Sequence, residues 1–223
     1  MFFQLSTKKE KLITVLLSFW VIAFAIILTT FLSPLLYNQQ VNTFHLPKLV
    51  HMSSTQIKEN YGHIIHYLSI FTNTSMQVSS KLITSKATSI HFADVKKVLG
   101  VIQIYFLLST LILIPLIHTS LKEKRHMFLK TTPIVLIVII GIVGSFMAMN
   151  FDGAFTLMHQ LIFRNNYWLI DPSVDPIINI FPETFFLELG VILLAIIALM
   201  IVLMIIIDKY LKKCYLEEEN KLY

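Results

Sequence analysis

Of the 223 residues, 56% are hydrophobic and only 14% are charged, and the mean hydropathy is +0.73. An ordinary soluble domain would carry charge on about a quarter of its residues, so this composition excludes one and makes the chain an integral membrane protein. The formal net charge of +5 is read as topology and contact with anionic membrane lipid, with no role in binding nucleic acid.

Four segments, residues 12–36, 98–118, 132–149 and 187–207, each offer roughly the 20 apolar residues needed to cross a hydrocarbon core of about 30 Å. The expected fold is therefore an all-α membrane protein, a single integral membrane domain over residues 1–223 with four transmembrane helices. The first segment is too long for a signal peptide and has no small-residue cleavage site, so it is kept as a permanent helix, with Ser33 and Pro34 marking its outer end. Lys8, Lys9 and Lys11 precede it. Lys122, Lys124, Arg125 and Lys130 fill the turn at 119–131, and Lys209, Lys212 and Lys213 begin the tail at 208–223. With four crossings these clusters share one side, which the positive-inside rule makes cytoplasmic. Both termini are then inside, and the loops at 37–97 and 150–186 face outward. Lysines in the first of these weaken the bias, but long loops translocate largely regardless of charge.

Within the first outer loop, Ser53 and Gln56 have capping-box spacing. Ile57, Tyr61, Ile64, Ile65 and Leu68 then recur on one face. A short amphipathic helix forming a cap is expected, lying either in the interface or over the membrane helices. Residues 71–88 are rich in Ser, Thr, Asn and Lys and read as a loop, with at most a strand near 76–82. A helical start at Ser89 leads into the second crossing and carries His91 and Asp94, three residues apart, roughly 10 Å before Val98 at a rise of about 1.5 Å per residue.

The second outer loop is long and aromatic for an interhelical connection, which makes it the first place to look for a site. Asp152, Phe155, His159 and Phe163 fall on one helical face. Each outer loop thus presents a histidine with a carboxylate at helical spacing. A carboxylate that accepts one imidazole N–H fixes the tautomer and leaves the other nitrogen free as base or acid. The plainer reading makes these interfacial packing histidines with their polar tips in water. His63 and His66 are read as exposed, His45 and His51 as loop residues, and His118 and His126 as belonging to the cytoplasmic side. Tyr167 and Trp168 suit an aromatic belt, Asp171-Pro172 and Asp175-Pro176 suit turns, and Asp152 suits a helix N-cap. Cys214 is the lone cysteine and permits no disulfide framework, and Glu217, Glu218 and Glu219 read as a solvated tail.

No GxSxG elbow, HExxH pair, Walker loop or dinucleotide fingerprint is present, so hydrolysis through a conventional nucleophile lacks its usual sign. Two imidazoles and two carboxylates from His91, Asp94, Asp152 and His159 suit zinc, but no local ligand motif supports that minority reading.

The run His91-Phe92-Ala93-Asp94-Val95-Lys96, the Asn60-Tyr61 pair, and the string Phe151-Asp152, Phe155, His159, Phe163, Asn165, Trp168, Asp171, Asp175 and Pro182 carry a resemblance. Over nearly its whole length the chain resembles the bacterial lipoprotein intramolecular transacylases, small four-helix membrane enzymes of Gram-positive bacteria. It departs from them at Ile162-Phe163, where the family has an aromatic pair. The resemblance implies an O-to-N acyltransferase of the cell membrane that acts on a diacylated lipoprotein. The sn-2 acyl chain of diacylglyceryl-cysteine would move to the cysteine α-amine, giving the lyso-form lipoprotein, with no cofactor and no metal. It further implies His159 and His91 as the catalytic pair, one acting as base and then acid, the other holding the oxyanion and the leaving alkoxide. Which histidine does which stays open at this point. Asp94 and Asp152 would support them, and Tyr61 would donate from the roof. Phe155, Phe163, Arg164, Trp168, Asp171 and Asp175 would line the substrate pocket. The alternatives are a metal-assisted lipid or peptide hydrolase built on the same four residues, and a non-enzymatic assembly or sensor subunit.

Overall fold

The structure, a computed structural model, describes residues 6–76, 78–82 and 84–220. Among them are seven α-helices: α1 (Lys8–Gln40), α2 (Leu46–Leu49), α3 (Ser54–Tyr67), α4 (Lys86–Lys122), α5 (Phe128–Met149), α6 (Phe151–Ile162) and α7 (Glu183–Asn220). Short 3₁₀ turns lie at Ser80–Leu82 and Pro176–Ile180. Helices α1, α4, α5 and α7 are long and apolar enough to cross a membrane. They leave large apolar side chains such as Leu111, Ile114, Ile142 and Ile206 exposed, as lipid-facing helices must.

All four helices run beyond the apolar segments that announce them. An apolar window ends where the charges begin, but Lys, Glu and Gln are good helix formers and carry the helix onward. Proline does not stop α1 at Pro34 either; the helix continues to Gln40. Pro34 lacks the N–H that would bond the carbonyl of Thr30, and the Ser33 hydroxyl donates to that carbonyl instead at 2.7 Å.

One compact unit combines the described residues up to Ala25 with Ile104–Ser145 and the chain from Leu193 onward. Its core holds Ile13, Val21, Leu113, Phe128, Leu136, Ile197 and Ile201. The Trp20 indole donates to Thr110 at 2.7 Å and the Tyr105 hydroxyl to the Leu16 carbonyl at 3.0 Å, tying α1 to α4 inside the apolar layer. At one end the three basic segments meet through ion pairs: Lys9 with Glu123 at 3.0 Å, Arg125 with Glu10 at 3.2 Å and Lys124 with Glu218 at 2.8 Å. Glu10 is buried and also accepts from the Met127 backbone at 2.9 Å, which fixes the α4–α5 turn against the start of α1.

The second unit, Ile26–Gln103 with Phe146–Ile192, contains both histidine-bearing segments. It has an apolar core of its own, in which Tyr37, Leu46, Ile57, Ile64, Leu82, Ile177, Ile180 and Phe185 are essentially inaccessible. The capping box at Ser53 and Gln56 is formed, and α3 buries Ile57, Tyr61, Ile64 and Ile65. Tyr61 stacks on Tyr37 at 3.8 Å between ring centroids. This settles what periodicity left open: the apolar face of α3 is packed within the unit and does not lie in lipid. His63 and His66 are exposed on its other face. No strand occurs among the described residues of 76–82, and the start of α4 is Lys86, not Ser89, because Ser85 caps it by accepting from the Thr88 backbone at 3.2 Å.

Candidate active site

His91 lies in the second turn of α4 and His159 in the last turn of α6. Helix α6 begins directly after α5, where the Asn150 side chain accepts from the Gly153 backbone at 2.9 Å as an N-cap. Asp152, read from sequence as the cap, instead sits in the first turn. A Cβ at Gly153 would stand 2.6 Å from the side-chain amide nitrogen of Asn150, so a larger residue there would push the cap aside. His159, buried, lies in the last turn of this twelve-residue helix.

The two imidazoles lie 5.9 Å apart, centroid to centroid, and both histidines are buried, each 8% exposed. Aromatic rings enclose them. Phe155 lies 4.2 Å from His159, Trp168 5.1 Å and Phe163 5.6 Å, while Phe163 meets His91 edge-on at 5.0 Å. Phe92, Phe181 and Phe186 extend this wall. The box excludes water, and burial pushes the His159 pKa below the ordinary histidine range against a smaller upward pull from its backbone bond.

His159 Nδ1 lies 2.8 Å from the carbonyl of Phe155. A carbonyl only accepts, so Nδ1 carries the proton, and in the neutral ring Nε2 presents a lone pair. That is the configuration of a general base. Nδ1 of His91 is buried with no hydrogen-bond partner among the described residues. A buried polar atom of this kind is costly in isolation and is a natural contact for a bound substrate.

Neither carboxylate expected to hold a histidine does so. Asp94 accepts from Lys97 at 3.0 Å and from the Asn165 amide at 3.1 Å, and Asp152 is exposed without a hydrogen bond to either imidazole among the described residues. Helical spacing puts Asp94 on the face of His91, but the charged Lys97 ammonium is a stronger donor than a neutral imidazole, and the Asn165 amide takes the other carboxylate oxygen. Through Asn165 it gains a different function: the Asn165 carbonyl accepts from the Trp168 indole at 2.9 Å, so Asp94 and Asn165 together hold Trp168 against His159. Tyr61 lies under the aromatic wall, 5.7 Å from Phe181. Its hydroxyl bonds Ser33 at 2.7 Å. Because Ser33 spends its single proton on Thr30, Tyr61 must be the donor, and that proton is committed within the cap rather than offered to a substrate.

The residues expected to line a pocket divide. Phe155, Phe163 and Trp168 surround the histidines. Arg164 is exposed beside Phe163, and Asp171 is exposed in a turn, accepting from the Ser173 backbone and hydroxyl at 2.8 and 2.7 Å. Asp175 is buried and takes both donors of Ser85, so it faces α4 and not a ligand. Sequence reasoning missed Ser85, Asn150, Phe92 and Phe181; the two caps carried a local signal, a Ser or Asn just before a helical run. Among the described residues no three His, Cys, Asp or Glu side chains converge as metal ligands would, so the grouping of His91, Asp94, Asp152 and His159 required by the zinc reading is not formed.

Residues 11–186 match the family model of the lipoprotein intramolecular transacylase Lit. The chain belongs to the Lit family. Among solved structures, the membrane integral Lit from Bacillus cereus is 32% identical, with 92% of this chain and 97% of that one covered and a TM-score of 0.84. Two Bacillus cereus Lit structures with one histidine replaced, by arginine or by alanine, are each 31% identical with TM-scores of 0.79 and 0.77. They cover 94% and 92% of this chain, and 94% of each of those chains is covered. No curated protein matches significantly. Membership in this membrane-integral family agrees with the four helices long and apolar enough to cross a membrane.

Proposed function

We propose that this Lit-family protein transfers the sn-2 acyl chain of a diacylglyceryl-cysteine lipoprotein to the α-amine of the same cysteine. The observation that carries the reading, beside the family itself, is the buried histidine pair with His159 held as the Nδ1–H tautomer. From the amine nitrogen through Cα, Cβ, sulfur, two glycerol carbons and the ester oxygen to the carbonyl carbon is an eight-membered ring. Nucleophile and electrophile are already tethered, and holding them in reacting geometry is worth several orders of magnitude. A serine nucleophile is unnecessary.

In the reaction the amine nitrogen bonds to the ester carbonyl carbon, and Nε2 of His159 removes the amine proton. His91 holds the oxyanion and the sn-2 oxygen as the carbon–oxygen bond breaks. The proton then passes to that oxygen, leaving a hydroxyl and an amide. The aromatic walls of Phe155, Phe163 and Trp168 receive the apolar parts of the substrate, and Asp94 supports them through Asn165.

The pH dependence tests the role of His159. A neutral amine is required, and an α-amine titrates at about 8, so kcat/KM rises with unit slope as pH increases toward that value. His159 has a lowered pKa and loses its basic form only below the ordinary histidine range, near 6.5. The bend from unit slope toward a slope of two is therefore expected only below about 6.5. A bend above that pH would contradict the assignment.

Topology follows from the ion pairs that join the N-terminal segment, the α4–α5 turn and the C-terminal helix, since segments so joined share one side. Their basic character supports a cytoplasmic location for these segments, with the loops at 37–97 and 150–186 facing outward. With Cys214 replaced by alanine, a membrane-impermeant thiol reagent applied to intact cells is expected to label Ser173→Cys and spare Lys122→Cys. The reverse pattern would overturn the orientation.

A further inference from the structure

We propose that Asp175 is a positioning residue for the histidine pair: by gripping Ser85 it sets the start of α4 and hence the placement of His91. The proposal rests on the transacylase reading above. Asp175 is 4% exposed, and its two carboxylate oxygens are both used by one residue ninety positions earlier in the chain. The Ser85 backbone N–H donates to Oδ1, and its hydroxyl donates to Oδ2 at 2.9 Å. The same Ser85 oxygen accepts from the Thr88 backbone, and Thr88 is buried, so the carboxylate, the cap and the first turn of α4 form one continuous chain of hydrogen bonds.

His91 lies six residues beyond Ser85, roughly 9 Å along an unbroken helix. A helix is stiff on that scale, so a shift or fraying of its first turn reaches the imidazole directly. On the other side, Asp175 is itself fixed. Its backbone N–H donates to the Asp171 carbonyl at 2.8 Å, and the 3₁₀ turn that follows buries Ile177 and Ile180 completely, with the Tyr37 hydroxyl donating to the Ile180 carbonyl at 2.7 Å. The segment between α6 and α7 is thus anchored in the core at one point and clamps the helix of His91 at another. A carboxylate is suited to this position because it accepts two hydrogen bonds and complements the positive end of α4.

The test is steady-state kinetics with a synthetic diacylated lipopeptide on Asp175→Ala, Asp175→Asn, Ser85→Ala and the double variant Asp175→Ala/Ser85→Ala, paired with amide hydrogen exchange over residues 86–92. Asp175→Ala is expected to lose about 10²-fold in kcat, the scale of a displacement of about 1 Å, with KM changed by less than about twofold. Exchange over 86–92 should rise while the pH profile keeps its shape. Asp175→Asn retains one acceptor and should lose less. The double variant should be no slower than Asp175→Ala, because both changes remove one contact. Wild-type activity in the same assay separates a failure of this proposal from a failure of the transacylase reading. If Asp175→Ala cannot be purified, Ser85→Ala alone must show faster exchange and a selective fall in kcat. Unchanged kcat despite faster exchange, multiplicative losses in the double variant, or a shifted pH profile would overturn it.

Discussion

Replacing His159 with alanine is expected to lower kcat by about 10²- to 10⁴-fold, the usual cost of losing a general base, while the protein still inserts and purifies. His159 sits at the end of α6, its ring held by one backbone carbonyl and three aromatic neighbours, and none of the core residues of its unit depends on the imidazole for a hydrogen bond. The side chain can therefore be removed without dismantling the cap. His91→Ala should be similarly impaired, since His91 presents a buried nitrogen with no hydrogen-bond partner among the described residues. His63→Ala and His66→Ala, on the exposed face of α3, serve as controls and should leave turnover unchanged. Full turnover by the His159 variant in detergent, measured with a lipopeptide substrate, would remove this residue from the chemistry.

Blocking the substrate amine has a still larger expected effect. An acetylated α-amine has lost the lone pair that attacks the ester. The acetylated lipopeptide should be inert at enzyme concentrations that convert the free amine fully. A hydrolase built on the same histidines would activate water instead and would be indifferent to the amine. Consumption of the blocked peptide at an undiminished rate would therefore point away from intramolecular transfer.

What the sequence disclosed, and what it hid, divides along the range of the interactions. The α3 face was legible because Ile57, Tyr61, Ile64 and Ile65 recur at helical spacing and Ser53 with Gln56 marks the cap, all within one local stretch. The four crossing helices were legible for the same reason, although their ends were not, since polar flanks continue a helix as readily as apolar ones. His91 and His159 stood out as histidines on helical faces within outer loops. Their partners did not. Asp94 and Asp152 were placed beside them by spacing, whereas Asp94 is drawn to Lys97 and to Asn165, seventy-one residues away. Asp175 looked like a turn residue before a proline, and it does begin a 3₁₀ turn, but its carboxylate is claimed by Ser85. The choice of Phe155 carbonyl over a carboxylate as the anchor of His159 is a four-residue contact within α6 that any histidine in a last turn can make, so the residue pattern alone did not distinguish it.

An intramolecular transfer is an isomerisation, so the central claim meets its most direct test in the mass of the product. Purified protein incubated with a synthetic diacylated lipopeptide should yield a product of unchanged parent mass. Its fragmentation should show an amide-linked acyl chain on the N-terminal cysteine and a monoacylglyceryl thioether, where the substrate showed a free amine and two esters. A hydrolase would lower the mass by an acyl chain with water's atoms added, and an intermolecular transferase would raise it. Free fatty acid released in step with substrate loss, or a product heavier than its parent, would contradict the account.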